Sequence, residues 1–152
     1  MIFSLKSVLN SLATLLSERY PKYPVYDSPN QQGTKFPCFF IFFTSPVTIE
    51  PHIGSRMGRD LAMDIVFVQQ RNIVDRNAQI YEVAEFLDAS LERFVYRDSQ
   101  GNEALIRTEE RQWHEEDDEL HYQFHIRQRV SFSEDEIKMQ EMEENYAGIK
   151  KT

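Results

Sequence analysis

The apolar residues at the start of the chain recur at every third or fourth position. In residues 2–16 the set comprises Ile2, Leu5, Val8, Leu9, Leu12, Leu15 and Leu16. This spacing places them on one face of a helix, which predicts an amphipathic helix packed on a core. The prolines of "YPKYPVY", residues 20–26, end that helix and favour a short extended segment after it.

The next apolar stretch is continuous. "FPCFFIFFT", residues 36–44, is an aromatic run between turn-forming residues, which is typical of a central strand with both faces covered. "LAMDIVFV", residues 61–68, then alternates in the manner of a second strand. The two prolines and two glycines of residues 45–60 predict a long loop between these strands, in which residues 47–50 could still be extended.

The helical period returns in residues 72–95. Its apolar stripe comprises Ile80, Val83, Ala84, Leu87, Leu91, Phe94 and Val95. The pattern predicts a helix laid across a sheet, with Asp75 or Asn77 as the N-cap. A turn around Gly101 follows.

The last part of the ordered pattern predicts two strands, residues 104–113 and 119–132, joined by the acidic turn of residues 115–119. The final strand alternates strictly, since even-numbered apolar residues such as Leu120 and Phe124 are separated by His121, Gln123 and His125. One of its faces is therefore expected to meet the core, and the other to remain polar.

The whole pattern predicts an α+β fold: a two-layer domain with a mainly antiparallel sheet, two helices packed on it and a short C-terminal helical tail. The domain is predicted to span residues 1–133. Residues 134–152 form an acidic tail with six acidic and three basic residues, so the tail carries −3 of the net charge of −8 and residues 1–133 carry −5. Its thin apolar side predicts a partly helical segment with a frayed end.

Composition narrows the possible functions. The 152 residues fit one domain. A net charge of −8 without clustered Lys and Arg argues against direct nucleic-acid recognition. The single Cys38 cannot form an intrachain disulfide, which favours a reducing compartment. No export signal is visible, and the longest apolar run, residues 36–43, is far shorter than the roughly 20 residues of a membrane-spanning helix.

The stretch "WHEEDDELHYQFHIRQRV", residues 113–130, is the main candidate for metal or acid–base chemistry. "HEEDD" begins like a zinc-protease helix motif but has Asp118 in place of the second histidine. His121 and His125 lie roughly 13 Å apart on a strand, too far for one ion. A small metal- or ligand-binding module using both histidines and the acidic turn nevertheless remains an alternative.

Other signatures of enzymes are missing from the sequence. It contains no phosphate-binding glycine loop, no GxSxG motif, no Cys/His pair at ligand spacing and no dinucleotide fingerprint. The sequence therefore predicts a protein that is not an enzyme and that uses no cofactor or metal.

The order of elements and several aromatic motifs resemble the tail terminator, or tail completion, proteins of tailed phages and prophages, most closely those of Gram-positive bacteria. The resemblance covers roughly residues 1–132. The matching positions are Tyr23, Pro24, Val25, Tyr26, Pro37, Cys38, Phe39, Phe40, Tyr81, Val83, Ala84, Leu87, Leu120 and His121. The acidic turn is more charged than the hairpin usual in that family.

The resemblance implies a structural virion protein that forms a ring, of six copies in that family, on the end of the tail tube. Such a ring ends tail polymerisation and joins the head or neck. Its expected partners are other copies of itself, the tail tube protein and a head–tail connector or neck protein, and its expected location is the virion tail, after assembly in the host cytoplasm. A head-closure or connector protein of the neck is the alternative within this class.

Six residues are predicted to contact acidic surfaces of a neighbouring subunit or of the tube. Two of them lie in the predicted loop and four on the polar side of the final strand. They are Arg56, Arg59, His121, His125, Arg127 and Arg129.

Overall fold

The computed structural model describes residues 3–27, 33–44, 46–70 and 73–131 of the chain. It contains two helices and eight strands. They are α1 (Leu5–Arg19), β1 (Val25–Tyr26), β2 (Cys38–Phe43), β3 (Thr48–Pro51), β4 (Arg56–Val68), α2 (Arg76–Ser90), β5 (Arg93–Arg97), β6 (Glu103–Arg107), β7 (Glu109–Glu116) and β8 (Glu119–Ser131). The predicted α+β class with a mainly antiparallel sheet is confirmed.

The main sheet has the strand order β1-β2-β4-β8-β7, and β3 pairs with the first part of β4. All its pairs are antiparallel except β1 with β2. The long strands β4 and β8 pair over their entire length, from Arg56 opposite Ser131 to Val68 opposite Glu119. Strands β5 and β6 form a separate two-stranded hairpin.

The core lies on one side of the main sheet. Side chains at alternate positions of β2, β4 and β8, such as Phe39, Phe67 and Phe124, share one cluster with buried residues of both helices and of the β5–β6 hairpin. Tyr122 joins the two layers through its hydroxyl, which donates a 2.7 Å hydrogen bond to Asp88 on α2. The helices and the hairpin therefore form the second layer.

Helix α1 begins later and ends later than the periodicity predicted. The Ser4 hydroxyl accepts a 3.1 Å hydrogen bond from the Ser7 amide and caps the helix, which then continues to Arg19. Its apolar face is confirmed, with Val8, Leu12 and Leu16 fully buried. Asp75 holds the predicted N-cap position of α2 but has a left-handed backbone and makes no capping hydrogen bond through its side chain.

Three predictions of secondary structure were wrong. The predicted helix over residues 72–95 ends at Ser90, and Phe94 and Val95 belong to β5. The predicted strand over residues 104–113 is two strands of different sheets, which divide at Thr108. The predicted loop of residues 45–60 is largely the β3–β4 hairpin, although the extended segment allowed at residues 47–50 is confirmed by β3. The predicted helical tail lies outside the described residues.

Candidate interaction surface

The side of the main sheet that faces away from α1 and α2 carries most of the residues predicted to form contacts. We call it the outer face. Strict alternation along β8 puts His121, His125, Arg127 and Arg129 there, while the residues between them face the core or its rim. In the neighbouring rows, β4 contributes Asp60 and Asp64, and β7 contributes further carboxylates. A row of cationic or ionisable groups thus lies between two rows of acids.

His121 is held between carboxylates of two strands. Its Nδ1 lies 3.1 Å from Asp64 Oδ2, and its Nε2 lies 3.4 Å from Glu119 Oε2. The His114 ring stacks on it at a centroid distance of 5.2 Å. The imidazole is therefore fixed on both of its nitrogens and on one ring face.

His125 repeats this arrangement four residues further along β8. Its Nδ1 lies 2.9 Å from Asp60 Oδ1, and its Nε2 lies 3.4 Å from Glu110 Oε2. Each histidine thus has its own pair of acids and is separated from the other along the strand. Within the described residues, no group of three or more His, Cys, Asp or Glu side chains is arranged so that it could hold a metal ion.

Arg127 forms ion pairs with carboxylates of both neighbouring strands. It contacts Glu109, and also Glu110 at 3.1 Å and Asp60 at 3.6 Å. An irregularity in the pairing of β7, where Glu110 has a left-handed backbone (φ 52°), brings two successive glutamates to the same guanidinium. The hydrogen bonds that Arg127 donates to Glu109 and Glu110 raise its pKa above the ordinary value.

Arg56 and Arg129 lie at the far end of the outer face. Both are exposed, and neither makes an ion pair with another described residue. Arg129 lies opposite Gly58 on β4, and Arg56 lies opposite Ser131. These two arginines are therefore the free cations of this surface among the described residues.

Arg59 was predicted to be a loop contact, and its placement in a loop was wrong. It lies within β4 on the side of the core, where its Nη2 donates a 3.1 Å hydrogen bond to Gln128 Oε1. Its Nε is buried and has no acceptor among the described residues. Burial lowers the pKa of its guanidinium below the ordinary value, while nearby Tyr96 acts in the opposite direction. Arg59 therefore supports packing at the rim of the core.

The β3–β4 hairpin extends the sheet into a projecting arm, which we define as residues 48–57. Its turn, residues 52–55, presents Ile53, which is 98% exposed, and Ile49 on β3 is 60% exposed. Gly54 supplies the left-handed turn (φ 79°). Sequence reasoning missed this arm, although an isoleucine next to a glycine in a turn-like segment is an unusual choice and was the available signal.

An exposed aromatic pair lies at the opposite edge of the sheet. Tyr81 on α2 and Trp113 on the edge strand β7 have ring centroids 6.3 Å apart and are 48% and 40% exposed. Trp113 lies opposite Tyr122 in the strand register and so stands on the same side of the sheet as α2. The pattern of β7 alone could not reveal this pair, because it depends on how α2 crosses the sheet.

A groove of about 680 Å³ lies between α1 and the β5–β6 hairpin. Its lining mixes hydroxyl groups, such as those of Ser7 and Thr14, with Lys6, Glu18 and Arg97. Ligand pockets are usually apolar with a few convergent polar groups, so this lining has little of that character.

Comparison with known protein families found a match that covers most of the chain. The model of the family described as "Phage tail terminator protein" matches residues 7–138. No curated protein matches the chain. The match covers both layers of the fold but carries no information on the host, so the closeness to versions from Gram-positive bacteria stays a prediction. Neither helix in the described part of the chain is long and apolar enough to cross a membrane.

Proposed function

This chain belongs to the phage tail terminator family, and on that premise we propose that it forms a ring on the end of a phage tail tube. The ring ends growth of the tube and presents the surface that joins the head or neck. The match over residues 7–138 carries this proposal. We infer a structural role rather than a catalytic one, because the family that the chain matches is described as a phage tail component.

The geometry supports a role in assembly. A sheet face with fixed charges, a projecting arm and an exposed aromatic pair give one small domain several distinct surfaces. A ring component needs such surfaces, since it must contact two neighbouring copies and the tube. The proposed partners are other copies of this chain in a ring of six, the tail tube protein and a head–tail connector or neck protein.

The proposal gives each group of predicted contact residues a different task. Arg56 and Arg129 have free charges for contacts with acidic surfaces. His121, His125 and Arg127 are already paired, so they would act as an ordered polar surface against a partner. Because displacing Asp60 or Glu110 would take a carboxylate away from the Arg127 guanidinium, this surface favours partners that fit without breaking these contacts.

Deletion of the gene tests the proposed function directly. Loss of a terminator should give overlong tails, because tube growth then has no stop. Normal tails that fail to join heads would instead assign the protein to the neck, which is the runner-up function. Negative-stain imaging of phage particles measures both outcomes, and particles with tails of normal length joined to heads would contradict the proposal.

The assembled state is tested separately with purified protein. Native mass measurement and imaging should show closed rings, alone or with tube protein added. A chain that stays monomeric in both conditions would contradict the ring. The proposed location is the virion tail, after assembly in the host cytoplasm.

A further inference from the structure

The arm combines an apolar tip with a free positive charge. Ile53 is almost fully exposed at the turn, and Arg56 follows it across the turn from His52, whose amide donates a 3.1 Å hydrogen bond to the Arg56 carbonyl. The strand pairing of β3, β4 and β8 holds this tip in position. A rigid apolar tip of this kind loses little conformational freedom when it docks, which favours its use as a contact.

The aromatic pair at the other edge has the complementary character. We name Tyr81, Trp113, Glu85 and Glu115 the aromatic edge. Glu85 lies one helical turn after Tyr81, and Glu115 lies two residues after Trp113 on the same side of β7. Both glutamates are exposed and make no ion pair with a described residue. The guanidinium of nearby Arg111 is engaged, since its Nη1 donates a 2.6 Å hydrogen bond to the Asp88 carbonyl.

The two surfaces cannot meet within one copy. Trp113 lies opposite Tyr122 of β8, and the base of the arm at Arg56 lies opposite Ser131. These positions are about 30 Å apart along the strand at the usual rise per residue. The arm also projects beyond this point, away from the aromatic edge.

We propose that the arm of one copy docks on the aromatic edge of the next copy, with Ile53 against Tyr81 and Trp113, and with Arg56 facing Glu85 and Glu115. This inference rests on the proposed function and names the subunit contact within the ring. Exposed aromatic residues ringed by charge are frequent anchors of interfaces. Because the two surfaces differ and lie at opposite ends, the contact is head-to-tail, which forms a ring when the rotation between successive copies closes.

Two variants with complementary defects test the contact. The arm variant carries Ile53→Ser and Arg56→Glu, and the edge variant carries Tyr81→Ser and Trp113→Ser. Each should fail to form rings, with association weakened about tenfold or more. In a mixture, the intact arm of the edge variant can dock on the intact edge of the arm variant. Native mass measurement should therefore show a dimer that grows no further.

Trp113 also reports on the contact, because it is the only tryptophan of the chain. The edge variant contains no tryptophan. When it is added to the arm variant, all tryptophan emission therefore comes from Trp113 in the intact edge of the arm variant. Docking should shift that emission to shorter wavelength as Ile53 excludes water from the indole. The absence of both the shift and the dimer, at the highest concentration at which both variants are soluble, would overturn the inference.

Leu105→Ser is the matched control. Leu105 is 66% exposed on β6, between the values for Ile53 and Tyr81, so the variant removes an exposed apolar side chain away from both surfaces. It should assemble like the wild type. Circular dichroism establishes that each variant is folded. If the serine variants unfold, charge exchange replaces them: Arg56→Glu and Glu115→Arg should each weaken assembly, and the two together in one chain should restore it.

The outcomes separate this inference from the proposed function. Rings formed normally by the arm variant would refute the contact and leave the terminator role intact. Tails of normal length in the gene deletion would refute the role itself, whatever the variants do. Restored assembly in the charge-exchanged chain would support the named contact, and continued failure of that chain would count against it.

Discussion

Cys38 shows how strongly the position of one residue controls its chemistry. Its side chain is fully buried on the outer side of β2. Burial, followed by the nearby charge of Glu119, raises the pKa of the thiol from 9.0 to about 11. The thiolate is the reactive form of cysteine, so Cys38 should be inert in the folded protein.

We expect two measurable effects at Cys38. A thiol reagent at pH 8 should label the native chain far more slowly than the chain in denaturant. The Cys38 thiol binds its proton more tightly in the folded state than in the unfolded state. Its contribution to the free energy of unfolding is therefore complete below pH 9 and is lost as the pH rises through about 11. Cys38→Ala should abolish this part of the pH dependence in urea unfolding. Equal labelling rates in native and denatured chains would contradict the assignment.

The ion pairs of the outer face show what a pattern of residues can predict. Alternation placed Arg127 on the polar face, and the nearest strand supplied Glu109, so their contact was predictable. The partial burial of Arg59 was not predictable in the same way, because the alternation had not been extended into residues 45–60, which were predicted to form a loop. Strand β4 runs from Arg56 to Val68, and its core residues, such as Leu61, are odd-numbered. Alternation along the strand therefore places Arg59 on the side of the core as well.

Elements were harder to predict where the chain crosses between layers. The apolar stripe that predicted a helix over residues 80–95 includes Leu91 and Phe94, because both are buried in the same core as the helix. The helix itself ends at Ser90, so Leu87 is the last residue of the stripe that is helical. The prolines and glycines of residues 45–60 indicated a loop, but Gly58 is a strand residue. A Cβ there would lie 3.1 Å from the His52 ring, so the glycine allows the arm to close on itself.

Thr108 organises the place where four elements meet. It lies between β6 and β7, its hydroxyl donates a hydrogen bond to the Leu91 carbonyl at the end of α2, and its amide donates a 3.3 Å bond to Glu92 just before β5. Its side chain is buried. The chain therefore changes from one sheet to the other at a point that is tied to the helix.

Thr108→Val should lower the free energy of unfolding by about 1–2 kcal/mol, because it keeps the shape of the side chain but leaves the buried Leu91 carbonyl without its hydroxyl donor. Urea unfolding followed by circular dichroism measures the change. Thr108→Ser retains the hydroxyl and is the matched control, with a smaller loss from the missing methyl group. Equal stability of the valine variant and the wild type would exclude a structural role for this hydrogen bond.

At the scale of the whole molecule, the domain was predicted to end at residue 133, whereas the family match continues to residue 138. Among the described residues, the buried core cluster runs from Val8 to Ile126. We propose that residues 1–133 fold alone, with residues 134–152 as a separate acidic tail. The fold class was predictable because it follows from the order of periodic segments, which most of the chain expresses clearly.

Two truncated chains test the boundary. A chain ending at Ser133 should unfold cooperatively, with a melting temperature within about 4 °C of the full chain, which corresponds to roughly 1 kcal/mol in a domain of this size. A chain ending at Lys138 serves as the control that retains the whole family match. If only the longer chain folds, the domain includes residues 134–138 and the predicted boundary is wrong. Scanning calorimetry measures both.

The length of β4 and β8 has a consequence for geometry beyond the single copy. Each has 13 residues, and they pair without interruption from the middle of the sheet into the arm, a span of about 40 Å. The direction of the arm is therefore fixed by the accumulated twist of these two strands. In a ring closed by the arm, that twist sets the angle between successive copies. The number of subunits, and with it the bore of the ring, would then be encoded in the curvature of one pair of strands.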